Sequence, residues 1–267
     1  MIFVMPDLAS AVFWIALGKI IVANLILSGD NAVVIAMACR NLPNQYKRPA
    51  IVGGSVGAIV LRVVFVFLIG WLLSIPYVKL IGGVLLLWIG IKLLNEDEGD
   101  GDGVKASTNL WSAIWTIIVA DAVMSLDNAI AIAGAARGDG VLIILGLLIS
   151  MPIIIVGSTL LTTILQRYPI LVILGGALLG YLGGEIIAAD GKSDVFDSAG
   201  HKSVVVKPGS IAAWLDVHLP HAELICGMVG AVLVVVIGLW LARRREHAAV
   251  AVDLAKNDTP ADPEKKG

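Results

Sequence analysis

Two ten-residue stretches of an otherwise apolar chain carry residues that could do chemistry. One is Asn24-Leu-Ile-Leu-Ser28-Gly29-Asp30-Asn31-Ala32-Val33; the other is Asp121-Ala-Val-Met-Ser125-Leu126-Asp127-Asn128-Ala129-Ile130. They lie 97 positions apart, counted from Asp30 to Asp127. Both read acid or amide, three apolar residues, Ser, one residue, Asp-Asn, then apolar again. An ionised carboxylate in a bilayer costs at least a few kcal/mol, so it marks a functional site by default. Neutral Asn and Ser would suffice to join helices by hydrogen bonds, and that task does not need the acids. The polar set is all oxygen: Asp30, Asp121, Asp127, Asn24, Asn31, Asn128, Ser28 and Ser125, with no His or Cys beside it. Oxygen donors suit hard or borderline cations such as Mn²⁺, Mg²⁺ or Ca²⁺, while Zn²⁺ and Cu⁺ favour nitrogen and sulfur. Three carboxylates would repel an anion. Met124, inside the second copy, reads as packing.

Helical geometry constrains how these residues converge. At 100° per residue, Asn24, Ser28 and Asn31 lie within about 60° of one another, while Asp30 lies about 120° from Asn24. The second copy behaves alike, with Asp121, Ser125 and Asn128 together and Asp127 apart. For all four to line one pocket the helix must unwind locally or face several neighbours. Gly29 permits a break in the first copy; Leu126 offers no such help in the second. Arg62, in the middle of another apolar run, should pair with a carboxylate, because a lone buried charge is so costly. Lys19 is placed to snorkel to an interface. Three close carboxylates cannot all stay ionised cheaply, so metal entry should displace protons, and protons are the natural counter-ion.

The elements that must position these residues are membrane spans. The chain has 267 residues, 58% hydrophobic and 15% charged, with net charge −2, and a mean hydropathy of +0.92. That is an integral membrane protein rather than a soluble domain, with the lipid bilayer as its surroundings. No nucleic-acid-binding feature, cofactor motif or disulfide framework stands out, and Cys39 and Cys226 are near helix ends. The N-terminus lacks a basic region before its apolar run, so the first run reads as a permanent span. Seven runs are long enough to cross: 11–38, 50–73, 78–94, 109–136, 141–165, 170–189 and 222–241. Residues 1–242 thus form one transmembrane domain, and the charged stretch 243–267 reads as a disordered cytoplasmic tail.

Spans one to three (about 11–94) and four to six (about 109–189) form a repeat, followed by an extra helix at about 222–241. Besides the doubled motif, Gly82-Gly83-Val-Leu-Leu-Leu-Trp88-Ile-Gly90 resembles Gly175-Gly176-Ala-Leu-Leu-Gly-Tyr181-Leu-Gly183. Three is odd, so the second unit runs through the membrane in the opposite sense. A 3+3 inverted repeat with a midplane site at its interface is the recurring plan of secondary transporters. Arg40, Lys47, Arg48, Lys92, Lys105, Arg167 and Arg243 to Arg245 then fall on one side, which should be the cytoplasm. That leaves the N-terminus outside. Lys79, Arg137, Lys192, Lys202 and Lys207 fall opposite.

The doubled Ser-x-Asp-Asn motif, the seven spans and the glycine-paired third helices resemble the TerC family of bacterial membrane proteins, specifically its YjbE-like branch. The resemblance covers roughly residues 10–240. It implies a protein of the bacterial inner (plasma) membrane that exports Mn²⁺, with no enzymatic activity. Asp30, Asn31, Asp127 and Asn128 carry over as motif positions. Asn24 departs from the pattern, standing where many members carry an acid, as Asp121 does in the second copy.

Two weaker signals remain. Glu96-Asp-Glu-Gly-Asp-Gly-Asp-Gly103 lacks the terminal Glu of a calcium loop and reads as a solvated linker. His218 and His221 are three apart without a third ligand. Two other function classes compete with transport. One is an intramembrane aspartyl protease, whose Gly-x-Gly-Asp and Tyr-Asp patterns the chain lacks. The other is a non-transporting membrane assembly factor in which the charges serve structure alone.

Overall fold

The computed structural model describes residues 11–27, 29–72, 75, 77–95, 103–135, 140–196 and 202–257, without the side chains of 23–27 and 126–135 among others. Among these residues the chain forms nine helices: α1 (Ala11–Leu27), α2 (Gly29–Cys39), α3 (Asn44–Leu72), α4 (Val78–Leu94), α5 (Gly103–Ala135), α6 (Gly140–Arg167), α7 (Ile170–Ala188), α8 (Ile211–His218) and α9 (Ala222–Asn257). A single hairpin, β1 (Lys192–Phe196) with β2 (Lys202–Val206), interrupts them. Helices dominate because a chain in lipid has to satisfy its backbone N–H and C=O groups internally. Among the described residues, four helical stretches are long and apolar enough to cross a membrane: Asn44–Phe65, Ile144–Arg167, Ile170–Ala188 and Ala222–Arg244. Phe13–Val22, Gly29–Cys39 and Asn109–Ser125 are shorter apolar helices. Trp111, Trp115 and Val156 are 70%, 67% and 70% exposed, an outward apolar face that only lipid accommodates.

The first motif falls where one helix gives way to the next: α1 ends at Leu27 and α2 begins at Gly29. No atom lies within 4 Å of where a Gly29 Cβ would sit, so packing does not demand a glycine there. The second motif lies within one continuous helix, α5. Ser28 itself is outside the described residues.

Packing follows a reciprocal scheme. α3 lies against α5, and α1 and α2 lie against α6; α4 crosses α7, and α9 packs on both. Small residues set the closest approaches. A Cβ on Gly83 would come within 2.5 Å of the Gly183 carbonyl oxygen, and one on Gly183 within 2.9 Å of the Gly83 carbonyl. Gly90 faces Gly176 and Leu179 in the same crossing. On α3, Gly54 and Gly57 receive Ile117 and Ile118 of α5.

Two regions differ from the sequence reading. The charged stretch from 243, expected to be disordered, continues α9 as far as Asn257. It is rich in Ala and Arg, strong helix formers, and it extends a helix already nucleated by an apolar run. Residues 258–267 lie outside the described set, as does the acidic stretch 96–102. The connection 190–221, expected only as a polar loop, folds into the hairpin and α8. Its strands pair antiparallel from Lys192↔Val206 to Phe196↔Lys202. Ser210 caps α8 by accepting from the Ala213 N–H at 3.2 Å.

Candidate cation site

The site is built around Asp121 of α5. Ser125, one turn later on the same helix, donates from Oγ to Asp121 Oδ2 at 3.1 Å. Arg62 of α3 donates from Nη2 to Asp121 Oδ1 at 2.5 Å and from Nε to Ser125 Oγ at 2.9 Å. The glycine notches of α3 let the two helices approach closely enough for this. From α2, Asn31 donates from Nδ2 to the same Asp121 Oδ1 at 2.7 Å. Asn31, Arg62, Asp121 and Ser125 are 4%, 1%, 6% and 0% exposed, so the whole network is desolvated. Lys19, by contrast, is exposed on α1.

Asp30 is half-buried in the first turn of α2, and its Oδ1 accepts from the Asn31 backbone N–H at 2.8 Å. A negative charge suits the start of a helix, where the N–H dipoles point outward. The charges of Arg62 and Asp121 also act on Asp30. Three carboxylates were expected to cluster; the side chains of Asp127, Asn128 and Asn24 lie outside the described residues. Among the described residues no three His, Cys, Asp or Glu side chains gather as a metal set. His218 stacks on Trp214 and its Nδ1 meets the Trp214 carbonyl at 2.7 Å.

Next to the network lies a small cavity with room for about one water molecule. Asn31, Ser55 and Asp121 line it, with Val34, Ile35, Ala58, Ile117 and Ile154 as apolar walls. Ser55 is the residue that sequence reasoning missed. It lies seven positions before Arg62, two turns along the same face of α3. A wider hollow forms between α4 and the hairpin, lined by Lys79, Asp190, Lys192, Lys207 and Ser210. Its lysines make it a poor place for a cation.

The hydroxyls of α6 are not available as ligands. Ser150, Ser158, Thr159, Thr162 and Thr163 each donate to a carbonyl of their own helix.

Residues 9–246 match the family described as integral membrane protein TerC family. The membrane protein YjbE of Bacillus subtilis (strain 168) is 45% identical over 184 residues, covering 69% of this chain and 84% of its own. YceF of the same organism is 29% identical over 150 residues, covering 53% of this chain and 58% of its own. The inner membrane protein YoaE of Escherichia coli (strain K12) is 26% identical over 195 residues, covering 66% of this chain and 37% of its own. No solved structure matches. With a family match across most of its length and a relative this similar, the chain belongs to the TerC family of integral membrane proteins.

Proposed function

We propose that this protein is a secondary transporter that exports divalent cations, Mn²⁺ above all, through an oxygen-donor site between two inverted repeats. The carrying observation is the 2.7 Å hydrogen bond from Asn31 of one motif copy to Asp121 of the other. Two copies remote in sequence meet side chain to side chain at a buried point, which is how repeat interfaces hold cargo. The reciprocal helix contacts support the same plan. So do the glycine pairs, since Gly83 meets Gly183 while Gly90 meets Gly176. The repeats exchange equivalent positions there, as a two-fold interface does. By likeness to YoaE, whose name places that protein in the inner membrane, we assign this one to the bacterial inner (plasma) membrane.

In this reading Arg62 neutralises Asp121 between cargoes, and protons returning to the remaining acids are the counter-ion. An aspartyl protease is disfavoured, because its dyad needs two carboxylates sharing one proton. Asp121 instead shares its oxygens with Arg62, Asn31 and Ser125. An assembly factor needs no cation flux.

The test is Mn²⁺ flux into liposomes containing only this protein, read by a quenched dye. Asp30→Asn and Asp127→Asn should each abolish flux while inserting and remaining folded. Near-normal flux in both variants would show that the doubled acids are not gates.

A further inference from the structure

The hydrogen bond to Asp121 fixes which way the Asn31 amide faces. Its Nδ2 must meet the carboxylate, so its Oδ1 points elsewhere, and that oxygen is buried without a hydrogen-bond partner among the described residues. Ser55 Oγ is in the same condition, on a residue only 1% exposed. Both residues line the small cavity, and the third polar wall is Asp121. Unpaired buried polar atoms are rare because each forfeits its hydration for nothing. Here two of them share one hollow with a carboxylate, at a spot with room for about one water molecule.

The cavity also has a side. Val34 and Ile35 lie beyond Asn31 toward the Cys39 end of α2. Ser55 and Ala58 lie before Arg62 toward the Asn44 start of α3, and Ile117 lies before Asp121 on α5. All of these are on the side that the basic flanks make cytoplasmic. Arg62 follows Ala58 by four residues on α3, in the opposite direction, and pairs there with Asp121.

We propose that Asn31 Oδ1, Ser55 Oγ and Asp121 form a cation position on the cytoplasmic side of the Arg62–Asp121 pair, with Ser55 as a ligand that favours hard cations. This rests on the transport reading above and adds to it a ligand and a location for the cargo before the pair opens. Three oxygens, one of them charged, suit part of the inner shell of Mn²⁺ or Mg²⁺, and completing the shell with water requires the cavity to widen beyond its present room for about one water molecule. Passage onward requires Arg62 to release Asp121, because a divalent cation and a guanidinium repel each other at one carboxylate.

The experiment measures Mn²⁺ and Cd²⁺ binding to the purified full-length protein in detergent, for the parent, Ser55→Ala and Ser55→Cys. Ser55→Ala should weaken Mn²⁺ binding about tenfold, the scale of loss when a supporting group leaves a metal site. Ser55→Cys exchanges a hard donor for a soft one of similar size. It should raise the Cd²⁺-to-Mn²⁺ affinity ratio roughly tenfold or more and produce a cadmium–thiolate absorption band beyond the parent's background. A serine that merely packs, or holds a water, would produce neither. Mn²⁺ binding by the parent, with the ratio unchanged and no new band in Ser55→Cys, overturns the Ser55 assignment alone. Absence of any divalent binding by the parent overturns both this assignment and the transport reading.

Discussion

Arg62 and Asp121 are buried charges that cannot be left single. Taking two ions out of water is repaid only when geometry is good and the remaining donors and acceptors are used. Here Asp121 accepts from Arg62, Asn31 and Ser125, and Arg62 also donates to Ser125. Arg62→Gln leaves the carboxylate buried without its partner and should cost about 3–5 kcal/mol of stability. Adding Asp121→Asn removes the orphaned charge and should recover most of that loss while flux stays absent. Thermal unfolding in detergent, paired with Mn²⁺ flux on the same preparations, checks both halves. A single variant that melts like the parent would mean the pair does not hold α3 to α5. The sequence made Asp121, Asn31, Ser125 and Arg62 stand out, because a charge or amide in an apolar run is rare enough to signal. Ser55 did not stand out, for a reason visible on α6. Membrane hydroxyls routinely bond their own helix, as all five on α6 do, so one more serine carries no signal until its surroundings are known.

At the scale of elements, the α4–α7 crossing tests whether the glycine repeat is structural. A Cβ on Gly83 would meet backbone, the Gly183 carbonyl, which cannot swing aside as a side chain can. Gly83→Ala should therefore destabilise by about 1–3 kcal/mol through overpacking. Gly157→Ala on α6 is the control, since nothing lies within 4 Å of its Cβ position and alanine is the better helix former, by up to about 1 kcal/mol. Denaturant titration of both variants decides the matter: equal stabilities would show that the crossing can open without loss. The helices themselves were legible from apolar length, and the paired Gly-Gly motifs marked the α4 and α7 faces that meet. Other features were not legible. The continuation of α9 to Asn257 is charged, and charge alone does not distinguish a solvated helix from a coil. The hairpin and α8 depend on contacts distant in sequence. Lys79 donates to the Lys192 carbonyl at 3.0 Å, and Asp190 accepts from the Leu80 N–H at 3.4 Å.

Across the whole molecule, the inverted repeat makes a claim about sidedness that can be checked without knowing the cargo. In the proposed topology Lys192 lies on the face opposite the basic flanks. It bonds Asp216 and Glu223, each at 2.9 Å, and so fastens the hairpin to α8 and to the start of α9. Burial disfavours its charge, but the hydrogen bonds to Asp216 and Glu223 and their negative charges outweigh that and raise its pKa above the ordinary lysine value. A raised lysine pKa stabilises the fold at every pH below the unfolded value, and the contribution fades only as pH climbs through the folded one. Lys192 therefore stays charged throughout the range in which histidines titrate, so a pH effect on flux near neutrality does not come from this lysine. If α4 and α7 are equivalent elements crossing in opposite senses, each repeat contributes three crossings. The hairpin and α8 then lie on the outer face, while residues 96–102 and the end of α9 lie in the cytoplasm. Reporter fusions at Gly101 and Gly267 should read cytoplasmic, and a fusion near His201 should read external. An external reading at Gly267 would require an even number of crossings from the outer N-terminus through α9. The two motif copies would then no longer approach the midplane from opposite faces, and the exchange of Gly83 with Gly90 against Gly176 with Gly183 would have to be packing coincidence. A cytoplasmic reading at Gly101 with an external one near His201 requires an odd number of crossings in α5 to α7, which is the inversion the doubled acids need to face opposite sides.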